Sequence, residues 1–281
     1  MHTKNKTIVI KFGGAAAATT EAFAHIAELI LNRKEHYKHV VVVVSAMQGV
    51  TDQLISLAKQ VHPNPPQREY DMLLTCGERV SMSLLAMALN LKHCGAASLT
   101  GSQAGIITCK THAEARIIEV RPHRIESLLI QGNVVIVAGF QGVSRTGEIT
   151  TLGRGGSDTT AVALAIALKA ECVEFYKDVA GIFSEDPKVC PEALFYEKLS
   201  YNEALSIASN GSKVLHGRAI ALAKQNHIPL RVRGFQHEHL HTGKATLIES
   251  EENLFASILA NYENDATLYD AGKAEHTQSV V

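Results

Sequence analysis

Short runs rich in β-branched residues set the frame of this chain. Thr7–Phe12, His39–Ser45, Val134–Phe140, Val173–Lys177 and Leu230–Val232 are strand-length, strongly apolar, and mostly end at glycine or a polar turn residue. Runs without polar alternation belong to strands covered on both faces. Between them lie segments with helical periodicity, at about Glu21–His36, Val50–Val61, Asp71–Leu91, Ala113–Gln131, Ser157–Lys169 and Lys213–Asn226. Strand alternating with helix predicts an α/β fold with a mainly parallel sheet between two helical layers. In such sheets ligands bind beyond the carboxyl ends of the strands. The loops that follow the strands are therefore where function is to be sought.

Composition narrows the classes of function. With 281 residues, 46% hydrophobic and 20% charged, the chain has ample material for a core. Its formal net charge of -1 gives no basic footprint for nucleic acid. Five cysteines, none in a CxxC pair, predict reduced thiols and a cytoplasmic protein without zinc. No unbroken apolar run reaches membrane-spanning length, and a strand begins directly after MHTKNK with no leader pattern. The stretch HPNPPQRE, His62–Glu69, holds three of the seven prolines and reads as a connection between helices.

Several post-strand loops carry polar groups suited to anions. The first strand closes on Lys11 and opens into Gly13 and Gly14, a cation followed by accessible backbone amides. Ser45, Gly49 and Thr51 follow the second strand, where Ser and Thr read equally well as plain helix caps. Gly77 and Glu78 interrupt a helical pattern; a glycine there costs about 1 kcal/mol against alanine, so it marks a break or a close approach. The stretch TTLGRGGSDTTAVALAIAL, Thr150–Leu168, sets Arg154, Ser157 and Asp158 in a glycine loop at a helix mouth. Lys177 and Asp178 follow a further strand, and Lys213 stands at a helix start, against the dipole preference. His237, His239 and His241 alternate as an exposed edge would, and His216 reads as a hydrogen-bonded structural histidine.

Taken together, KFGG, VVVVVSAMQGVTDQL, CGERVS, IVAGFQG, TTLGRGGSDTTAVALA, YKDVAGIFSEDPK and SKVLHGRA come in one order over about residues 7–250. In that order and spacing they resemble the aspartate kinases of the amino acid kinase family. The resemblance implies a three-layer αβα sandwich of about eight mainly parallel strands. Residues 1–250 would form the catalytic domain, with an amino-terminal aspartate lobe and a carboxyl-terminal ATP lobe. It implies transfer of the ATP γ-phosphoryl to the side-chain carboxylate of L-aspartate, on the route to lysine, threonine and methionine. Lys11, Asp158 and Lys213 would serve the transfer itself. Ser45, Thr51, Glu78, Phe140, Arg154 and Ser157 would hold aspartate. Gly13, Gly14, Lys177, Asp178, Phe183, Asp186 and Lys188 would hold ATP. Magnesium would ride on the phosphates rather than on a protein metal site, and the partner would be a second copy in a homodimer.

The chain departs from the family pattern in four places. Ala15 and Ala16 replace a Thr-Ser pair after KFGG, Lys177 replaces a threonine, and Gly217 replaces a proline. Residues 251–281 resemble a first strand of an ACT regulatory domain or a frayed tail, which implies an enzyme without ACT-mediated feedback. The alternative is a non-catalytic paralogue that binds aspartate or nucleotide; a kinase of another acidic amino acid is a lesser one.

Overall fold

The computed structural model describes residues 6–212, 214–236 and 243–253. The tail reading beyond 250 lies, apart from residues 251–253, outside these residues, and Lys213 and the alternating histidines lie outside them as well.

Among the described residues, eight strands form the main sheet: β1 (Thr7–Phe12), β2 (His39–Val44), β3 (Ala96–Leu99), β6 (Val134–Ala138), β9 (Val173–Lys177), β12 (Lys198–Ser200), β13 (Leu230–Gly234) and β14 (Thr246–Glu249). Their spatial order is β12-β14-β13-β9-β1-β2-β6-β3. Six run parallel; β14 is antiparallel to β13, and β12 is parallel to β14. A second sheet of four short strands has the order β5 (Ile117–Val120), β4 (Ile106–Thr108), β7 (Gln141–Ser144), β8 (Ile149–Thr151). A small ribbon pairs β10 (Ile182–Phe183) with β11 (Phe195–Tyr196).

The helices are α1 (Ala22–His36), α2 (Val50–Val61), α3 (Gln67–Leu74), α4 (Cys76–Leu91), α5 (His123–Ile130), α6 (Gly156–Ala167), α7 (Tyr201–Ser209) and α8 (Gly217–Gln225). Strand periodicity of two sorts the main sheet between two cores. Ile8, Ile10, Phe12, Val40, Val42 and Val44 pack with residues of α1 and α4. Val9, Val41, Val43, Val173 and Phe175 pack with α5, α6, α7 and α8. The same alternation sends Lys11 and Lys177, at the carboxyl ends of β1 and β9, to the α6 side.

Three helical expectations need correction. Ala113–Gln131 is not one helix: Ile117, Glu119 and Val120 pair as β5 on β4, and Pro122 separates that strand from α5. Asp71–Leu91 is two helices meeting at Thr75. The last helix starts at Gly217 rather than Lys213, with His216 as its cap: the ring accepts the Arg218 N–H at 3.3 Å. The stretch Gln67–Leu91 also has the length and hydropathy of a membrane-crossing helix, although no unbroken apolar run does; its most apolar 18-residue window is half buried, with Met82, Leu85 and Leu89 packed in the α1 core.

Candidate active site

A cavity of about 400 Å³ opens at the carboxyl ends of β1, β2 and β6. Lys11, Gly14, Ser45, Thr51, Glu78, Phe140, Arg154, Ser157 and Asp158 all line it. Every residue expected around the amino acid is thus brought together, along with two of the three expected at the transfer. Gly13 is not among the lining residues. Gly14 is there for space, since a Cβ would stand 2.8 Å from the Ala46 carbonyl oxygen.

Two helices aim their amino termini at this cavity. The N-cap of α2 is Gly49 and that of α6 is Gly155, both left-handed at φ 79° and 73°, and neither helix has a side-chain cap. The capping role open to Ser45 and Thr51 is therefore not the one they take: Ser45 lies before the cap and Thr51 inside the helix. At Gly155 a side chain is also excluded by space, because a Cβ would fall 2.2 Å from the His216 ring. Phe140, between β6 and β7, holds φ 67° although it is not glycine. Its N–H donates to Thr160 Oγ1 of α6 at 3.2 Å, which ties this strained residue to the helix.

The charges are arranged around Asp158, in the first turn of α6. Lys11 Nζ stands 2.6 Å from one carboxylate oxygen and Lys177 Nζ 3.6 Å from the other. Burial works against ionisation of Asp158, but the charges of Lys11 and then Lys177 outweigh it and hold the carboxyl at about 2. For Lys177, burial first and the neighbouring Lys11 charge second bring the ammonium down to about 8.

Glu78 forms the opposite wall. The residue is 3% exposed, so its carboxylate belongs to the cavity and not to the solvent face of α4. It sits deep because Gly77 lets α4 approach Ala46, where a Cβ would lie 2.7 Å from the Ala46 methyl. One oxygen accepts the Ala46 N–H at 3.1 Å, and the other is buried without a hydrogen-bond partner among the described residues. Burial pushes this carboxyl up to about 7. Arg154 is exposed at the mouth, with no ion pair among the described residues. The cavity therefore offers an exposed guanidinium, an orphan carboxylate oxygen and a buried lysine, a set matched to an amino acid zwitterion with a further anion beside it.

A second cavity of about 750 Å³ lies beyond β9. Lys177, Asp178, Phe183, Asp186 and Lys188 line it, so all five side chains expected along the nucleotide converge there. Lys188 pairs with Asp178, and its N–H donates to the Asp186 carboxylate at 2.9 Å. The Phe183 ring meets Phe195 edge-on at 5.2 Å. Lys177 belongs to this cavity by its lining and to the first by its ion pair. No group of three His, Cys, Asp or Glu side chains among the described residues is placed to hold a metal ion.

One residue with no sequence signal stands out. Asp71 of α3 is fully buried and accepts hydrogen bonds from Thr151 and Ala113, with the His112 ring at 2.8 Å. A lone aspartate in an amphipathic helix carries no pattern that would single it out.

Fold and site together are those of an α/β protein with two ligand cavities beyond the carboxyl ends of its strands. Residues 6–234 match the amino acid kinase family, and the chain belongs to it. Among the curated relatives it is similar to are aspartokinases. That of Geobacillus stearothermophilus is 46% identical over 97% of this chain and 67% of its own length, and that of Bacillus sp. (strain MGA3) is 47% identical over 92% and 63%. Aspartate kinase from Synechocystis superposes with a TM-score of 0.75 at 44% identity, covering 87% of this chain and 40% of that one. E. coli aspartokinase III, solved in complex with aspartate and ADP, gives 0.78 at 26% identity over 87% and 65%. The chain thus spans about two thirds or less of the length of these relatives.

Proposed function

We propose that the protein is an aspartate kinase, forming 4-phospho-L-aspartate from L-aspartate and ATP. The observation that carries this reading is the convergence of Arg154, Glu78, Lys11 and Asp158 on one amino-acid-sized cavity beside a nucleotide-sized one. It favours catalysis over a binding-only paralogue, since Lys11 and Asp158 form a built charge pair between the two cavities. E. coli aspartokinase III, which shares the fold, binds aspartate and ADP.

On this reading Arg154 grips a substrate carboxylate in its planar fork and Glu78 accepts the ammonium. Ser45, Thr51, Phe140 and Ser157 complete that pocket. A side-chain carboxylate oxygen of aspartate forms the new bond to the γ-phosphorus. The bond from that phosphorus to the β–γ bridging oxygen breaks, and ADP leaves with the electron pair. The acceptor is already ionised at neutral pH, so no general base is needed. Catalysis is alignment and charge stabilisation. Lys11 and Lys213 neutralise the transferring phosphoryl oxygens, Asp158 orients the lysines, and Gly13 and Gly14 present backbone amides. Lys177, Asp178, Phe183, Asp186 and Lys188 lie along ATP, the first of them nearest the transfer. Magnesium arrives on the ATP phosphates, where it keeps much of its water.

Aspartate thus belongs to the amino-terminal lobe and ATP to the carboxyl-terminal lobe of residues 1–250. Free thiols at all five cysteines accord with a cytoplasmic protein. Val80, Met87 and Leu91 are exposed along one stripe of α4 and suit a homodimer through the amino-terminal lobe, which sedimentation would test.

Trapping by hydroxylamine tests the chemistry. Aspartyl hydroxamate that depends on ATP and disappears in Arg154→Ala is the expected result. Purified protein that binds aspartate and ATP but forms no hydroxamate would overturn it.

A further inference from the structure

We propose that Asp71 is a positioning residue of the substrate cavity: its buried carboxylate fixes the β8–α6 loop so that Arg154 faces Glu78 at a set separation. The inference rests on the reading that Arg154 and Glu78 hold the two charged ends of the amino acid.

A fully buried carboxylate is costly to keep ionised unless its oxygens are saturated with donors. Asp71 achieves this with groups from two distant segments. Thr151 donates its hydroxyl at 2.6 Å and its N–H at 3.1 Å, and Ala113 donates its N–H to both oxygens at 3.1 Å. His112 Nδ1 lies at 2.8 Å. Ala113 is held at φ 64°, a conformation that costs a non-glycine residue about 1–2 kcal/mol and that its bond to Asp71 secures.

These bonds converge on Arg154. Thr151 ends β8, and Arg154 follows three residues later. The intervening Gly153 passes so close to the Ala113 carbonyl that a Cβ would stand 3.1 Å from it. Leu152 N–H donates to the Phe140 carbonyl at 2.9 Å. The loop is therefore clamped from below by the turn that Asp71 holds. On the other side, α3 runs into Thr75, whose carbonyl accepts the Gln141 amide at 3.1 Å, and then directly into the turn that carries Glu78. One short helix is thus bonded to the Arg154 loop, bonded beside Phe140 and covalently continuous with Glu78.

Aspartate affinity by calorimetry and hydroxamate turnover, each measured on the full chain, separate this role from a purely structural one. Asp71→Asn keeps the shape but replaces one acceptor oxygen with an amide donor, so the Ala113 N–H and the Thr151 N–H and hydroxyl are left to compete for a single oxygen. It should weaken aspartate binding and raise the aspartate KM about tenfold, while kcat and the ATP KM stay within about twofold. In an Arg154→Ala background, read by calorimetry alone because that variant is not expected to turn over, the same change should cause no further loss of aspartate affinity, since the residue through which Asp71 acts is gone. A drop in kcat with an unchanged aspartate KM, or an additive loss of calorimetric affinity in the double variant, would overturn the inference. Thr151→Val removes only the hydroxyl bond and should give a smaller shift in the same parameter; if Asp71→Asn does not fold, an unchanged aspartate affinity in Thr151→Val overturns it instead. Wild-type protein that binds aspartate without turnover would defeat the kinase reading and leave the affinity comparison to decide this one.

Discussion

Lys11 and Asp158 meet at 2.6 Å, one from the end of β1 and the other from the first turn of α6. Both are buried, and Lys177 approaches the second oxygen of the same carboxylate at 3.6 Å. One acid thus fixes two cations where the two cavities adjoin. Its folded-state ionisation lies near 2, below the ordinary 3.8, so it stabilises the fold above pH 4 and that contribution is lost as pH falls toward 2. Asp158→Asn leaves two lysines facing each other. It should cost about 3 kcal/mol at neutral pH in denaturant titrations, with the deficit shrinking near pH 3. Turnover should fall at least about a hundredfold. A variant as stable and as active as wild type would show the pair to be idle.

Glu78 gives the opposite sign. Its carboxyl is raised to about 7 by burial, so the folded state holds its proton more tightly than the unfolded chain does. Stability is therefore lost as pH rises from about 4.5 through 7. Glu78→Gln should be more stable than wild type at pH 8 and equal to it at pH 4. If the ionised form receives the substrate ammonium, the aspartate KM of wild type should fall as pH rises through about 7, while that of the variant stays high and flat. A wild-type KM independent of pH would count against this role.

Lys177 stands where the resemblance to the aspartate kinases implies a threonine. Burial and the neighbouring Lys11 charge bring its ammonium down to about 8, so its charge is lost as pH rises above that. The kcat/KM for ATP should therefore decline above pH 8, and Lys177→Thr should abolish that limb while lowering kcat/KM about tenfold at pH 7. An unaltered high-pH limb in the variant would assign it to another group.

The two alanines after KFGG are not equivalent. Ala15 is exposed and lines the first cavity, whereas Ala16 is buried beside Phe12 and Ile10 in the α1 core. Ala15→Thr returns a hydroxyl to the phosphate side and should raise turnover by about tenfold. Ala16→Ser buries a hydroxyl and should cost about 1–3 kcal/mol in thermal unfolding. Equal turnover in Ala15→Thr and wild type would mean that this loop does not touch the transferring group.

The legible part of the fold was its long-range skeleton. β1 and β9 match their runs end to end, because a strand covered on both faces is mostly apolar, and the one acid inside β9, buried Glu174, is neutralised by Arg33. The four-stranded sheet was invisible: its strands are three or four residues long, too short for any period to show. In α7 a signal was present and unread, since Ser200 and Glu203 form a capping box. The candidate site was legible in its motifs, each placed after a strand where an α/β sheet puts its ligands. Asp71 was not, because its partners lie 41 to 80 positions away and only the folded chain brings them to it.

The left-handed glycines that open α2 and α6 bear on how the protein would behave in a cell. Each begins its helix without a side chain to accept the first N–H groups, so part of the satisfaction of both helices is deferred until an anion enters the cavity between them. Empty and loaded protein then differ in resistance to heat and to proteases by an amount set by ligand concentration over its dissociation constant. Lifetime becomes tied to supply: a protein with this architecture persists when its metabolite is abundant and is cleared sooner when the metabolite runs low.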